Sequence, residues 1–89
     1  MTMQQRIEAA LAQALAPTSL TVVDESHLHA GHSGARAGGQ SHFRIHVVAP
    51  AFAGKGRVER HRMIYAALAG EIADGVHALA LDAKAPGEG

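Results

Sequence analysis

The N-terminal segment carries apolar residues at the spacing of an amphipathic helix. Those that share one helical face lie between residues 3 and 15: Met3, Ile7, Ala10, Leu11, Ala14 and Leu15. Thr2 and Gln5 fit a capping box, in which each side chain accepts a hydrogen bond from the backbone N–H of the other residue. Pro17 cannot continue a helix, because it has no N–H and its ring clashes with the preceding turn. We therefore predict a helix over residues 3–15.

The next two segments have the character of short strands. Residues 20–24 are rich in β-branched side chains, and residues 41–48 alternate in polarity. The apolar members of the second segment are Phe43, Ile45 and Val47, and the polar members between them are His42, Arg44 and His46. We expect the polar histidines to face solvent. The glycine-bearing stretch 26–40 between the two segments exceeds the usual hairpin loop of about two to five residues, and long loops are usually functional or disordered.

The second half of the chain predicts a long helix followed by a strand. One stripe with steps of three and four residues indicates a helix of about 16 residues: Val58, His61, Tyr65, Leu68 and Ile72. On this pattern we interpret His61 as a structural residue, and we expect the three aromatic side chains, Phe43, Phe52 and Tyr65, to be core residues. Pro50-Ala51-Phe52 is predicted as a single helical turn. Asp74-Gly75 ends the helix, and residues 76–83 form the third strand.

These elements predict an α+β fold in the order α-β-β-α-β, with the extra turn near Phe52. The first two strands should pair antiparallel, and a helical crossover normally brings the following strand in parallel on a right-handed path. The result is a small three-stranded mixed sheet with the helices packed on one face. We expect one domain over residues 1–89, with an ordered core over about residues 3–83. Pro86, Gly87 and Gly89 indicate a flexible tail at 84–89.

Composition and charge narrow the functional classes. No apolar run approaches the roughly 20 residues of a membrane span, and residues 1–6 have no apolar signal segment, so we expect a cytoplasmic protein without membrane contact. Eight basic and eight acidic residues give a formal net charge of zero, which argues against strong overall attraction to nucleic acid. A local basic patch nevertheless occurs within residues 55–62: Lys55, Arg57, Arg60 and Arg62.

Histidine is the residue type that points to chemistry, because the chain has seven histidines and no cysteine. Three of them, His27, His29 and His32, lie in the glycine-bearing loop, where they form either a metal-binding loop or simply a solvated polar one. His77 begins an apolar run, so it is either a half-buried residue satisfied by a backbone carbonyl or a ligand that converges with the loop. A chain without thiolates can supply only part of an iron–sulfur site, and the remaining sulfur ligands must come from a partner.

No catalytic set accompanies these histidines. The serines nearest to them, Ser26, Ser33 and Ser41, lie in no nucleophile-elbow motif. Asp24 and Glu25 are adjacent, and neighbouring residues of a strand point to opposite faces, so they are a poor acid–base pair. We therefore expect a binding protein and not an enzyme.

Several motifs in the chain resemble those of the BolA family from about residue 5 to residue 86. They are Asp24-Glu25-Ser26, His29-Ala30-Gly31-His32, Ser41-His42-Phe43-Arg44-Ile45, Phe52-Ala53-Gly54, Arg60-His61-Arg62-Met63-Ile64-Tyr65 and Gly75-Val76-His77-Ala78-Leu79-Ala80-Leu81. The resemblance implies an α-β-β-α-α-β fold similar to class II KH domains, in which the turn near Phe52 is a short helix. The family often ends with a tail that contains tryptophan. This chain has no tryptophan, so the role of residues 84–89 is an open question.

The resemblance also implies a function and a set of ligands. It implies a protein, monomeric when alone, that forms a heterodimer with a monothiol glutaredoxin and shares a 2Fe–2S cluster in cluster trafficking and iron homeostasis. The glutaredoxin would give one cysteine thiolate and glutathione a second. This chain would give His77 and a loop histidine, which is His29 by its position after Glu25, with His32 and His27 as alternatives.

Two other functions stay open at this point. Some members of the family are described as DNA-binding transcriptional regulators, and in that case Lys55, Arg57, Arg60 and Arg62 are the expected contacts. The other is a mononuclear metal site built from the loop histidines alone.

Overall fold

The computed structural model describes residues 1–25 and 42–88. Along the chain these form helix α1 (Met3–Leu15), strands β1 (Ser19–Asp24) and β2 (His42–Val48), a 3-10 turn (Pro50–Phe52), helices α2 (Arg57–Ala67) and α3 (Ala69–Ala73), and strand β3 (Ala78–Lys84). The predicted order of elements is confirmed, including the turn at Phe52. The predicted 16-residue helix is instead two helices that meet at Leu68.

Helix α1 forms as predicted. The Gln5 N–H donates to Thr2 Oγ1 over 3.1 Å, and the Thr2 N–H donates to Gln5 Oε1 over 2.9 Å, which completes the capping box. Four side chains at intervals of four residues are buried against the rest of the molecule: Met3, Ile7, Leu11 and Leu15. Two ion pairs also tie α1 to the α3 region, since Arg6 Nη2 lies 3.1 Å from a Glu71 oxygen and 2.7 Å from an Asp74 oxygen.

The sheet has the order β1-β2-β3, with β1 antiparallel to β2 and β2 parallel to β3. Alternation along β2 decides which side chains face the core, since Phe43, Ile45 and Val47 are buried. Their neighbours in the register, such as Val22 on β1 and Leu79 and Leu81 on β3, face the same way. The predicted mixed sheet with a single apolar face is therefore confirmed.

The long helical segment buries a different face from the one that the sequence predicts. Val58 is 62% exposed and Tyr65 is 45% exposed, whereas Ile64 and Leu68 are completely buried. Burial of Ile64 places a purely apolar side chain in the core and leaves Tyr65, which carries a hydroxyl, at the surface, which avoids the cost of burying an unpaired polar group. The core prediction is wrong for Tyr65 and correct for Phe43 and Phe52. His61 is only partly buried, so it is not a core residue.

The C-terminal residues are bound to the domain where a flexible tail was expected. Residue 84 still belongs to β3, and Ala85 is buried in the core. The two Glu88 carboxylate oxygens accept hydrogen bonds from Arg60 Nη1 and Nη2 over 2.6 and 2.7 Å, and the Ala85 N–H donates to the same carboxylate over 3.1 Å. The boundary at residue 83 is therefore corrected, because these contacts continue the ordered structure as far as residue 88.

No helix within residues 1–25 and 42–88 is long and apolar enough to cross a membrane.

Candidate functional site

Parallel pairing of β2 with β3 brings two histidines together at one end of the sheet. His42, the first residue of β2, is in register with Ala78, the first residue of β3, and His77 directly precedes Ala78. The imidazole rings of His42 and His77 lie nearly parallel, at 21°, with their centroids 6.2 Å apart. His77 is exposed, and His42 is half-buried. The N-terminal end of β3, where the sequence predicted a ligand, thus holds two neighbouring imidazole rings.

The loop that carries the other histidines is attached at this same end. The Glu25 N–H donates to the His42 carbonyl over 2.8 Å, so residues 25 and 42, which flank the loop, lie side by side, and His42 is also the neighbour of His77. His27, His29 and His32 themselves lie outside the described residues.

A shallow cavity of about 170 Å³ opens beside the histidine pair, lined by Glu25, His42, Phe43, Ala78, Leu79 and Ala80. Glu25 is the carboxylate nearest in sequence to the loop, and one of its oxygens accepts a hydrogen bond from Arg44 Nε over 2.9 Å. Within the part of the chain that the structure describes, no group of three or more histidine, cysteine or acidic side chains is arranged to hold a metal ion. The described residues therefore offer this end two imidazoles and no complete metal site.

The position of His42 differs from the prediction that it is simply solvated. Alternation along β2 correctly places it on the outer face of the sheet, but it is half-buried and stacks on His77. Sequence reasoning missed this pair because alternation indicates which face of its strand a residue lies on, but not which residue of the next strand lies beside it. His46, four residues further on, is exposed as expected, with Nδ1 3.1 Å from an Asp82 carboxylate oxygen.

The basic patch lies near the opposite end of β3. A cavity of about 450 Å³ is lined there by residues from the start of α2 and the end of β3: Lys55, Arg57, Arg60, His61, Leu81, Asp82, Ala83 and Lys84. Arg62, the fourth basic residue of the predicted patch, is exposed and is not among those that line this cavity. Three of the four basic residues of the patch therefore border the cavity, and Arg62 does not.

Arg60 is held by contacts within the protein. Besides its two bonds to Glu88, its guanidinium donates to the carbonyls of Lys55 and Ala83 and lies 5.9 Å above the Phe52 ring. Its side chain is only 14% exposed. Hydrogen bonding with Arg60 lowers the pKa of Glu88 to about 2, and the same bonds raise the pKa of Arg60. Arg60 therefore links α2 to the C-terminal residues. For the other two basic residues of the patch at the cavity, Lys55 and Arg57, the structure shows no such side-chain contacts.

The element order and the mixed sheet define a small α+β domain, and the imidazole pair lies at one end of that sheet. The chain belongs to the BolA family, because residues 11–88 match the sequence profile described as BolA-like protein.

Relatives of known sequence cover nearly the whole chain. It is 46% identical over 89 residues to an uncharacterized protein in the cobS 5' region of Sinorhizobium sp., an alignment that covers 99% of this chain and 96% of that one. It is also 46% identical over 81 residues to the DNA-binding transcriptional regulator BolA of Escherichia coli, covering 91% of this chain and 73% of the relative. By contrast, it spans only 24% of SufE-like protein 1 of Arabidopsis thaliana, at 44% identity over 87 residues.

Solved structures agree with this assignment. The BolA domain of SufE1 from Arabidopsis thaliana superposes with a TM-score of 0.86 at 42% sequence identity, covering 97% of this chain and 94% of that chain. This level of agreement shows the same fold throughout the domain.

Proposed function

We propose that this protein is the histidine-bearing partner of a monothiol glutaredoxin and co-ligates a 2Fe–2S cluster bridged between the two proteins. The observation that supports this proposal best is the position of His77. It is exposed at the N-terminal end of β3, where the two ends of the histidine-bearing loop also meet. The role in cluster trafficking and iron homeostasis follows from the family resemblance.

The donor chemistry of the chain fits half of such a site. Without cysteine it supplies no thiolate, so a cluster that usually takes four thiolates needs a partner for its sulfur ligands. The proposed set is His77 and His29 from this chain, with His32 or His27 in place of His29, and one thiolate each from the glutaredoxin and glutathione. Two histidines in place of two thiolates on one iron raise the reduction potential of a 2Fe–2S cluster. The chain thus contributes neutral nitrogen donors to a cargo that the partner brings.

The test is to mix the protein anaerobically with a cluster-loaded monothiol glutaredoxin and record visible circular dichroism. We expect a new spectrum for the wild type and its loss in His77→Ala. His46→Ala is the matched control, because it removes another exposed imidazole from the outer side of the sheet, away from the loop. A spectrum unchanged by His77→Ala, or a wild type that leaves the glutaredoxin spectrum as it was, would contradict the proposal. Single changes at His29, His32 and His27 then identify the loop ligand.

A second candidate function is DNA binding, in the manner that the name of the Escherichia coli relative states for that protein. The observation that favours it is the cavity bordered by Lys55 and Arg57 at the start of α2. If phosphates bind there, Lys55→Ala and Arg57→Ala should each weaken DNA binding and reduce the salt slope by about one. Arg62→Ala is the control, because it removes the same charge from outside the cavity. Equal effects of all three changes, or affinity independent of salt, would exclude a phosphate site at this cavity.

A further inference from the structure

We propose that the Arg60 guanidinium is a receptor for a phosphate group, and that Glu88 occupies it as an intramolecular competitor of any phosphate-bearing ligand in the neighbouring cavity. Where the phosphate belongs to DNA, the inference rests on the second candidate function and adds its regulation. For a phosphorylated small molecule it stands without that function. The histidine pair at the other end of β3 takes no part in it.

The Arg60 guanidinium is held in place by contacts that do not involve Glu88. Its Nε donates to the Lys55 carbonyl over 2.9 Å, its Nη1 donates to the Ala83 carbonyl over 3.1 Å, and its Cζ lies 5.9 Å from the centroid of the Phe52 ring. The fork formed by Nη1 and Nη2 therefore keeps its orientation when the Glu88 carboxylate leaves. Such a fork of parallel N–H donors binds phosphate as well as carboxylate in a bidentate manner.

Glu88 is the more accessible partner of this ion pair. Its two carboxylate oxygens accept from Arg60 Nη1 and Nη2 over 2.6 and 2.7 Å. The Glu88 side chain is 43% exposed, whereas the Arg60 side chain is 14% exposed. Removal of the carboxylate would leave a largely buried positive charge without a counter-ion, which is costly. A second oxyanion that reaches Arg60 is therefore favoured to replace Glu88.

The cavity beside Arg60 supplies further positive charge for a phosphate. Its volume of about 450 Å³ is that of a small-ligand site. Four more of its lining side chains are basic: Lys55, Arg57, His61 and Lys84. Asp82 is the acidic side chain among the described lining residues, and its carboxylate lies 3.1 Å from His46 Nδ1 and 4.0 Å from Lys84 Nζ. A phosphate monoester carries about 1.5–2 negative charges at pH 7, so it gains more from these cations than the Glu88 carboxylate does.

The test measures binding of inorganic pyrophosphate to the wild type and Glu88→Ala by isothermal titration calorimetry at pH 7. Removal of the competitor should tighten binding about tenfold, since each hydrogen bond to a charged group contributes roughly that factor. Glu59→Ala is the charge-matched control, because it removes an exposed carboxylate from the same helix that does not line the cavity. Its effect should stay within about twofold, as is usual for an exposed charge.

Two further measurements separate a receptor from a purely structural ion pair. Glu88→Ala should lower the urea midpoint while it tightens pyrophosphate binding, whereas the loss of a purely structural pair would not raise affinity. Arg60→Met in the Glu88→Ala background should cancel the gain. Circular dichroism verifies that this variant is folded, and Arg60→Lys, which keeps the charge without the fork, replaces it if it is not and should lose most of the gain.

Fluorescence anisotropy with a labelled DNA duplex distinguishes the two sources of phosphate. If DNA is the ligand, Glu88→Ala should also tighten DNA binding and increase the salt slope by about one; a gain with pyrophosphate alone indicates a small molecule. Tightening of neither ligand, equal tightening in Glu59→Ala, or a gain that persists without Arg60 would overturn the inference. If Lys55→Ala and Arg57→Ala weaken DNA binding but Glu88→Ala tightens neither ligand, the second candidate function stands and the inference fails. If pyrophosphate binding tightens and no variant binds DNA, the inference stands and that function fails.

Discussion

The face of α2 that packs against the sheet can be tested with two adjacent residues. Ile64 is completely buried in the core, whereas Tyr65 is 45% exposed. We therefore expect Ile64→Ala to cost about 2–5 kcal/mol of unfolding free energy, the usual range for a buried aliphatic side chain. Tyr65→Ala removes more atoms, but from a surface position where changes usually stay within about 0.5 kcal/mol.

The expected loss is large for a domain of this size. At about 0.05–0.15 kcal/mol per residue, an 89-residue chain has a total stability of about 4–13 kcal/mol, so Ile64→Ala removes a substantial part of it. Each kcal/mol corresponds to about 4–8 °C in Tm for a domain of this length. A loss of about 3 kcal/mol should therefore lower Tm by about 12–24 °C.

Urea titration of the wild type and both variants, followed by circular dichroism, measures the two losses under the same conditions. The predicted order is a much lower midpoint for Ile64→Ala and a nearly unchanged one for Tyr65→Ala. If Tyr65→Ala proved as costly as Ile64→Ala, the helix would be rotated toward the stripe that the sequence indicates, and the packing described above would be refuted.

Three further predictions concern local contacts. The pKa of Glu88 is lowered from 4.5 to about 2, so the stability that its carboxylate contributes is present above pH 4.5 and is lost as the pH falls toward 2. The urea midpoint of the wild type should therefore be higher than that of Glu88→Gln at pH 7, and the two midpoints should match near pH 2. Thr2→Ala should cost about 1 kcal/mol through loss of the α1 capping box, and a smaller cost of Glu8→Ala in the same helix, measured by urea titration, is the control. Gly54 has φ +75°, so Gly54→Ala should cost about 1–2 kcal/mol, whereas Gly70→Ala in α3 should stabilise by about 0.5–1 kcal/mol; thermal melts in which both changes have the same sign would contradict this pair.

The elements that local pattern determines were predicted correctly. Helix α1 has a strong apolar stripe with its cap, and β2 alternates without exception, so for both the buried face follows from spacing alone. The α2 segment is different, because Leu68 belongs both to the predicted stripe through Tyr65 and to the observed one through Ile64. The spacing of apolar residues does not distinguish these two stripes, and the choice between them depends on whether Ile64 or Tyr65 packs into the core.

The parts of the site that spacing could not determine depend on contacts between residues distant in sequence. His77 was predicted at the end of a strand because its own apolar run indicates that strand. Its neighbour His42 follows only from the parallel register of β2 and β3, which local pattern does not specify. The bond between Arg60 and Glu88 likewise joins residues 28 positions apart, so a tail that looks polar and glycine-rich gave no sign of it.

Strand β3 also sets the distance between the two candidate sites. Its residues 81–84, which line the cavity that Lys55 and Arg57 also border, lie four to seven residues from His77, or about 13–23 Å at about 3.3 Å per residue in a parallel sheet. That span is about twice the Debye length at physiological ionic strength, so charge changes at one end are strongly screened at the other. A ligand as small as a metal ion at the imidazoles therefore need not compete with a polyanion at the far end of the strand.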